Sequence, residues 1–115
     1  MMNPQTNLFT QNWTASAADE TAGFINNWQV FTPSRRIRLM HLSLANLPRV
    51  AHVRLFVTSY NGELFNLADD DFPSGQSAVW NGSIIMTNVT SIGAQAYGYL
   101  AGDISYLRII WEELD

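Results

Sequence analysis

The chain predicts an all-β fold, an antiparallel β-sandwich, jelly-roll-like, of about eight strands with an extended N-terminal arm. Three observations carry this. Short apolar runs alternate with polar residues at the strand period. Turn residues recur between them at the spacing of a sandwich or barrel. No amphipathic run is long enough to read as a helix. The 115 residues suit one domain that buries a core without covalent staples, divided into an arm over 1–23 and a sandwich over 24–115.

The arm has no ionisable side chain from Met1 to Ala18, yet it carries Leu8, Phe9 and Trp13 among Asn, Gln, Thr and Ser. "SAADETAGF" has weak helix signals, with Ser16 placed to cap one turn. Such a segment cannot bury enough apolar surface alone to offset its ordering entropy. It is therefore expected either to be disordered or to dock Leu8, Phe9 and Trp13 on a neighbouring molecule.

Strand grammar begins at Phe24. "INNWQVFT" alternates and stops at Pro33-Ser34. In "RRIRLMHLSLANL", Arg36, Arg38, Met40, Leu42 and Leu44 share one phase. Ile37, Leu39, His41 and Ser43 share the other. The middle of this run is apolar on both faces, the pattern of a central strand. After a turn around Pro48, "HVRLFVTSY" places Val53, Leu55 and Val57 in one phase. Asn61-Gly62 tolerates positive φ and predicts a hairpin to "ELFNLA". "DDDFPSGQ" reads as a loop. "SAVWNGSIIM" holds a second Asn-Gly, a hairpin or a bulge. "NVTSIGAQ" reads as a connection and "AQAYGYL" as a short strand with Tyr97 and Tyr99 on one face. In the last strand, "ISYLRIIWEEL", Ile104, Tyr106, Arg108 and Ile110 oppose Ser105, Leu107, Ile109 and Trp111.

Charged residues make up 14% of the chain, against roughly 25% in ordinary soluble domains. Much of the surface is thus expected to meet something other than water. All six cations are Arg and the formal net charge is −4, with no basic stripe, so nucleic acid is not an expected partner. Arg35 and Arg36, with Arg38, form a small cluster read as a rim or partner contact, because guanidinium tolerates interfaces better than ammonium. The absence of Cys removes disulfide and thiolate chemistry. No secretory signal or membrane span is visible, so a soluble product without a membrane partner is expected.

The candidate chemistry is sparse. His41 and His52 fall on consecutive strands, where two side chains can face each other, but no third ligand has metal-site spacing. Asp69 and Asp71 are the better calcium candidates of the acidic run, since alternate residues of extended chain point the same way. The run lacks a calcium-loop pattern and is expected to be solvated. No nucleophile, base and orienter share a motif, so no enzyme activity, metal or cofactor is expected. Trp80, beside Asn81-Gly82, is placed at a loop tip as a partner or glycan contact.

An uncharged arm, one compact sandwich, no Cys, the acidic "EELD" tail and the "AGDISYLRIIW" turn-and-strand together resemble the capsid decoration, or cement, proteins of tailed bacteriophages. In that turn Gly102 lets the chain reverse and Asp103 caps it. The resemblance implies a virion protein that docks on the major capsid protein and self-associates as a homotrimer or another homo-oligomer. It implies that the arm ties neighbouring subunits together, with Leu8, Phe9, Trp13, Phe24, Trp80, Arg35 and Arg36 at partner contacts. The alternative is a carbohydrate-binding or receptor-binding sandwich of a phage tail or adhesin.

Overall fold

A computed structural model describes residues 8–16, 25–31, 36–58, 63–86, 91–100 and 102–114, with 25–31 given by their backbone course. Eight strands follow in order: β1 (Leu8–Ser16), β2 (Ile25–Phe31), β3 (Ile37–Ala45), β4 (Ala51–Thr58), β5 (Leu64–Phe72), β6 (Ala78–Met86), β7 (Ser91–Tyr97) and β8 (Ile104–Glu113). They form two four-stranded antiparallel sheets, ordered β1-β8-β3-β6 and β2-β7-β4-β5. This interleaving is the jelly roll: successive strands cross between two facing sheets, except β4 and β5, which pair within one.

The core lies between the sheets. Leu39, Leu42, Leu44, Leu107 and Ile109 from the first sheet meet Val53, Leu55, Ile92, Ala94 and Ala96 from the second, all fully buried. β8 keeps the predicted alternation, with Ser105, Leu107, Ile109 and Trp111 inward. β4 likewise buries Val53, Leu55 and Val57.

β3 is central as expected, between β8 and β6. Its phase is not constant, however. Register with β8 shifts between Leu39 and His41, which leaves Met40 as an extra residue, and Ile37, Leu39, Leu42 and Leu44 all reach the core. A bulge that resets the alternation explains why both faces of this run look apolar in sequence. Across the β3–β6 seam the surplus residue belongs to β6 at Gly82–Ser83. The second Asn-Gly is thus a bulge within a continuous strand.

Three boundaries need correction. Residues 8–16 of the expected arm are a strand of the sandwich: β1 runs beside β8 from Leu8↔Glu112 to Ser16↔Ile104 without a break. Pairing with β8 satisfies one side of its backbone, Ala15 enters the core and Trp13 packs against it. The Phe9 ring stacks on Trp111 at 5.5 Å. The acidic run is likewise strand, since β5 continues through Asp69–Asp71 opposite β4 and the turn follows at Pro73. The expected connection over 88–95 contributes Ser91–Gln95 to β7, a central strand. Its small residues Gly93, Ala94 and Ala96 carry little hydrophobic signal.

Tight turns hold the ends of the sheets. Leu47, buried after β3, donates its N–H to the Gln76 carbonyl and accepts from Gly75 N–H. Gly102 has φ 87°, and Asp103 accepts from the Leu100 N–H at 2.7 Å, as the "AGD" turn predicts. Arg49 binds the same carboxylate in a fork, Nε to Oδ2 at 2.5 Å and Nη2 to Oδ1 at 2.9 Å. That hydrogen bonding holds the Asp103 carboxyl below the usual carboxylate range. Tyr99 turns into the core, away from Tyr97, and donates its hydroxyl to Ser105 Oγ at 2.9 Å.

Candidate interaction surface

Register determines which side chains share the outer face of the β1-β8-β3-β6 sheet. Residues that alternate with the core set point outward: Leu8, Thr10, Asn12 and Thr14 from β1, and Ile104, Tyr106, Arg108, Ile110 and Glu112 from β8. Arg38, His41 and Ser43 join from β3, with Val79, Asn81 and Ile85 from β6. Leu8, Val79, Ile85, Ile104 and Tyr106 are exposed by 46–55%, so this face carries five large apolar side chains in solvent.

Between them the polar groups are already matched. Arg38 donates Nε to Glu112 Oε1 at 3.2 Å and Nη1 to Ser83 Oγ at 2.9 Å. Arg108 donates Nε to Asn12 Oδ1 at 3.0 Å. His41 lies 2.7 Å from Asn81 Oδ1 and 2.9 Å from Ser43 Oγ. Nδ1–H donates to the carboxamide oxygen, and in that tautomer of the neutral ring Nε2 accepts from the Ser43 hydroxyl. Asn12, Ser43, Ala45, Asn46, Tyr106 and Arg108 line an open depression of about 380 Å³ on this face.

The opposite outer face, on the β2-β7-β4-β5 sheet, holds the acidic run. Alternation brings Asp69 and Asp71 to one side, as the sequence implied, and β4 places His52 opposite them. His52 Nε2 lies 2.5 Å from Asp69 Oδ1 and Nδ1 lies 2.8 Å from Asp71 Oδ1. An ionised carboxylate only accepts, so the ring donates to both at once only as the doubly protonated cation. The Asp69 hydrogen bond, then that of Asp71, holds the His52 pKa above its ordinary value; the same contact holds Asp69 below its own. Arg54 Nε also reaches Asp69 Oδ1 at 3.2 Å. The guanidinium carbon lies 5.6 Å from the Tyr97 ring centroid, and His52 meets that ring edge-on at 5.9 Å. Among the described residues, no group of three or more His, Cys, Asp or Glu side chains is placed to hold a metal ion.

The sequence-derived contact residues scatter. Leu8 and Phe9 are half-exposed at the start of β1, and Trp13 is half-buried beside the core. Trp80 is not at a loop tip: it lies within β6 opposite Leu42, partly buried over Gly82. Arg36 is exposed just before β3, and its carbonyl accepts from the Leu114 N–H. Phe24 and Arg35 lie outside the described residues. His41 and His52 stand on different sheets, each facing away from the core, and do not meet. Sequence reasoning had no signal for the His41 and Arg108 contacts, because both depend on cross-strand register. The outward alternation of β8 was the one cue to this face.

Among solved structures, the chain is similar to a Bacillus endospore appendage protein, from a family of disulfide-linked pili. That likeness has TM-score 0.47 and 11% identity over 100% of this chain and 96% of that one. It is also similar to a chain of infectious bursal disease virus, Gx strain, with TM-score 0.45 and 13% identity, covering 95% of this chain and 32% of that one. The Drosophila NLP-core, studied for pentamer formation and histone binding, gives TM-score 0.45 and 13% identity over 94% of this chain and 99% of that one. Likeness at this level assigns no function. No family model matches the chain, and no curated protein sequence does.

Proposed function

We propose that this protein is a non-catalytic structural component of a virion, a capsid decoration protein that docks on the shell through the outer face of the β1-β8-β3-β6 sheet. The supporting observation is the composition of that face. Five exposed large apolar side chains surround cations that already have partners within the molecule. Covering an apolar surface is favourable. Covering an unpaired charge is costly, and here Arg38 and Arg108 enter an interface with their hydrogen bonds made. The jelly roll itself serves capsid, lectin and cupin domains alike, so the reading rests on the face and not on the fold.

In this reading the tie between shell subunits comes from the sheet face and its β1 margin, where Leu8 and Phe9 are exposed. Self-association as a trimer or another homo-oligomer adds avidity across symmetry copies. Mass spectrometry of purified virions tests it: the chain is expected in many copies per particle, and Val79→Glu with Tyr106→Glu is expected to strip it from the shell. Absence from particles, or unchanged binding of that variant, defeats the proposal.

A second reading has its own observation. Tyr97, flanked by Arg54 and His52, with Asp69 hydrogen-bonded to both of these, offers an aromatic ring beside hydrogen-bonding groups, the composition of a sugar site. Glycan-array binding lost in Tyr97→Ala, yet kept in the Val79/Tyr106 variant, would favour it.

A further inference from the structure

The two sheets have four margins, and three carry devices that discourage strand addition. β5 presents three consecutive carboxylates, Asp69–Asp71, and charge on an edge strand blocks pairing with another chain. β6 carries the Gly82–Ser83 bulge, which breaks a flat edge. The pairing of β2 is irregular between Gln29 and Phe31. β1 has none of these. Its nine residues, LFTQNWTAS, contain no charge, no Pro and no Gly, and their register against β8 is unbroken. Among the described residues β1 pairs with β8 alone and carries none of these devices, so its other side is the edge of the sheet.

We propose that β1 is a self-pairing edge: two copies of this chain join antiparallel through β1 about a twofold axis at Asn12, making one continuous eight-stranded sheet. The occupant follows from the strand's own self-complementarity. In a continuous sheet, directly opposed residues share a face, which excludes every register that opposes residues of different parity. Of the registers left, only the one centred on Asn12 uses all nine residues. It opposes Leu8 to Ser16, Phe9 to Ala15, Thr10 to Thr14, Gln11 to Trp13, and Asn12 to its own copy. On the core-facing side each aromatic meets a smaller or flexible residue. On the outer face Thr meets Thr, a pair that sheets favour, and Asn meets Asn. The Asn12 carboxamide oxygen already accepts from Arg108, which leaves its N–H groups to donate across the axis. No opposed pair brings like charges together.

This inference goes beyond the virion reading and holds whether or not that reading is right, because it is tested on purified protein alone. Sedimentation equilibrium is expected to show a concentration-dependent dimer. Thr10→Lys with Thr14→Lys puts lysine opposite lysine at solvent-exposed positions, so it should weaken association roughly tenfold or more. Its circular dichroism and melting should remain close to those of the parent. Because the chain lacks Cys, Asn12→Cys alone should form a disulfide-linked dimer under mild oxidation, since opposed strand residues have Cα spacing suited to a disulfide. Thr10→Cys alone should not, because its own copy lies several residues away along the strand. A wild-type monomer at every concentration reached overturns the proposal. So does a lysine variant that dimerises as tightly as the parent, or crosslinking that ignores position.

Discussion

Gly82 illustrates how a glycine in a strand can be required by a neighbouring ring. Its backbone is not in the left-handed region, so alanine is allowed there conformationally. A Cβ at this position would nevertheless lie 2.5 Å from Trp80 Cζ2, 3.0 Å from Cε2 and 3.1 Å from Cη2. Carbon contacts settle near 3.5–4.0 Å, so the indole must move by about 1 Å or swing away. Overpacking costs about 1–3 kcal/mol. Swinging out gives up roughly 100 Å² of burial, about 2.5 kcal/mol at 25 cal/mol/Å². Removing glycine's extra chain entropy returns about 0.5–1 kcal/mol. Gly82→Ala should therefore destabilise by about 1–2 kcal/mol, and the midpoint should fall by about 4–8 °C for a domain of this size. Urea and thermal unfolding, followed by circular dichroism and tryptophan fluorescence, measure this. The decisive arm is a double-mutant cycle. With Trp80→Ala in place the obstruction is gone, and Gly82→Ala should become neutral or stabilising by about 0.5 kcal/mol. An equal loss in both backgrounds would refute the assignment of the cost to the indole.

Ser105→Ala should cost about 1 kcal/mol, because it removes the acceptor to which the buried Tyr99 hydroxyl donates; in urea denaturation the losses from Ser105→Ala and Tyr99→Phe should be less than additive in the double variant. Gly102→Ala should cost about 1–2 kcal/mol, since the turn needs φ 87°, and Gly102→Asn should cost less in the same assay. The His52 clamp makes stability depend on pH in two directions. A raised imidazole pKa contributes stability that is complete below its unfolded value and lost as pH rises through the folded one. A lowered Asp69 pKa contributes stability above its unfolded value, lost as pH falls through the folded one. The melting-temperature advantage of the parent over His52→Gln should thus peak between about pH 4 and 6.5 and shrink on both sides; a flat difference across that range would count against the clamp.

The class of fold was readable because β4 and β8 keep strict alternation, with Val53, Leu55, Leu107 and Ile109 inward. β3 blurred that signal, since the bulge at Met40 moves the inward set from odd to even positions. β7 was only half visible. A central strand between β2 and β4 can be built from Gly93, Ala94 and Ala96, whose small side chains resemble those of a loop. β1 was hidden for a related reason: its Thr, Gln and Asn are edge-strand residues whose value depends on β8, far along the chain. Asp69 and Asp71 were correctly assigned to one side by alternation alone. Their partner His52 was not, because opposition across β4 and β5 depends on the bulge beside Leu55. The Asn12–Arg108 contact joins opposite ends of the sequence, and no local pattern encodes it.

The first described strand and the last lie side by side over their whole length. During synthesis, Leu8–Ser16 has no partner in this sheet until Ile104–Glu113 has left the ribosome. Closure over so long an intervening segment is intrinsically slow. Until then an uncharged, aromatic-bearing ribbon waits in the open. A second copy close by at that stage would meet the ribbon before β8 has covered its inner side.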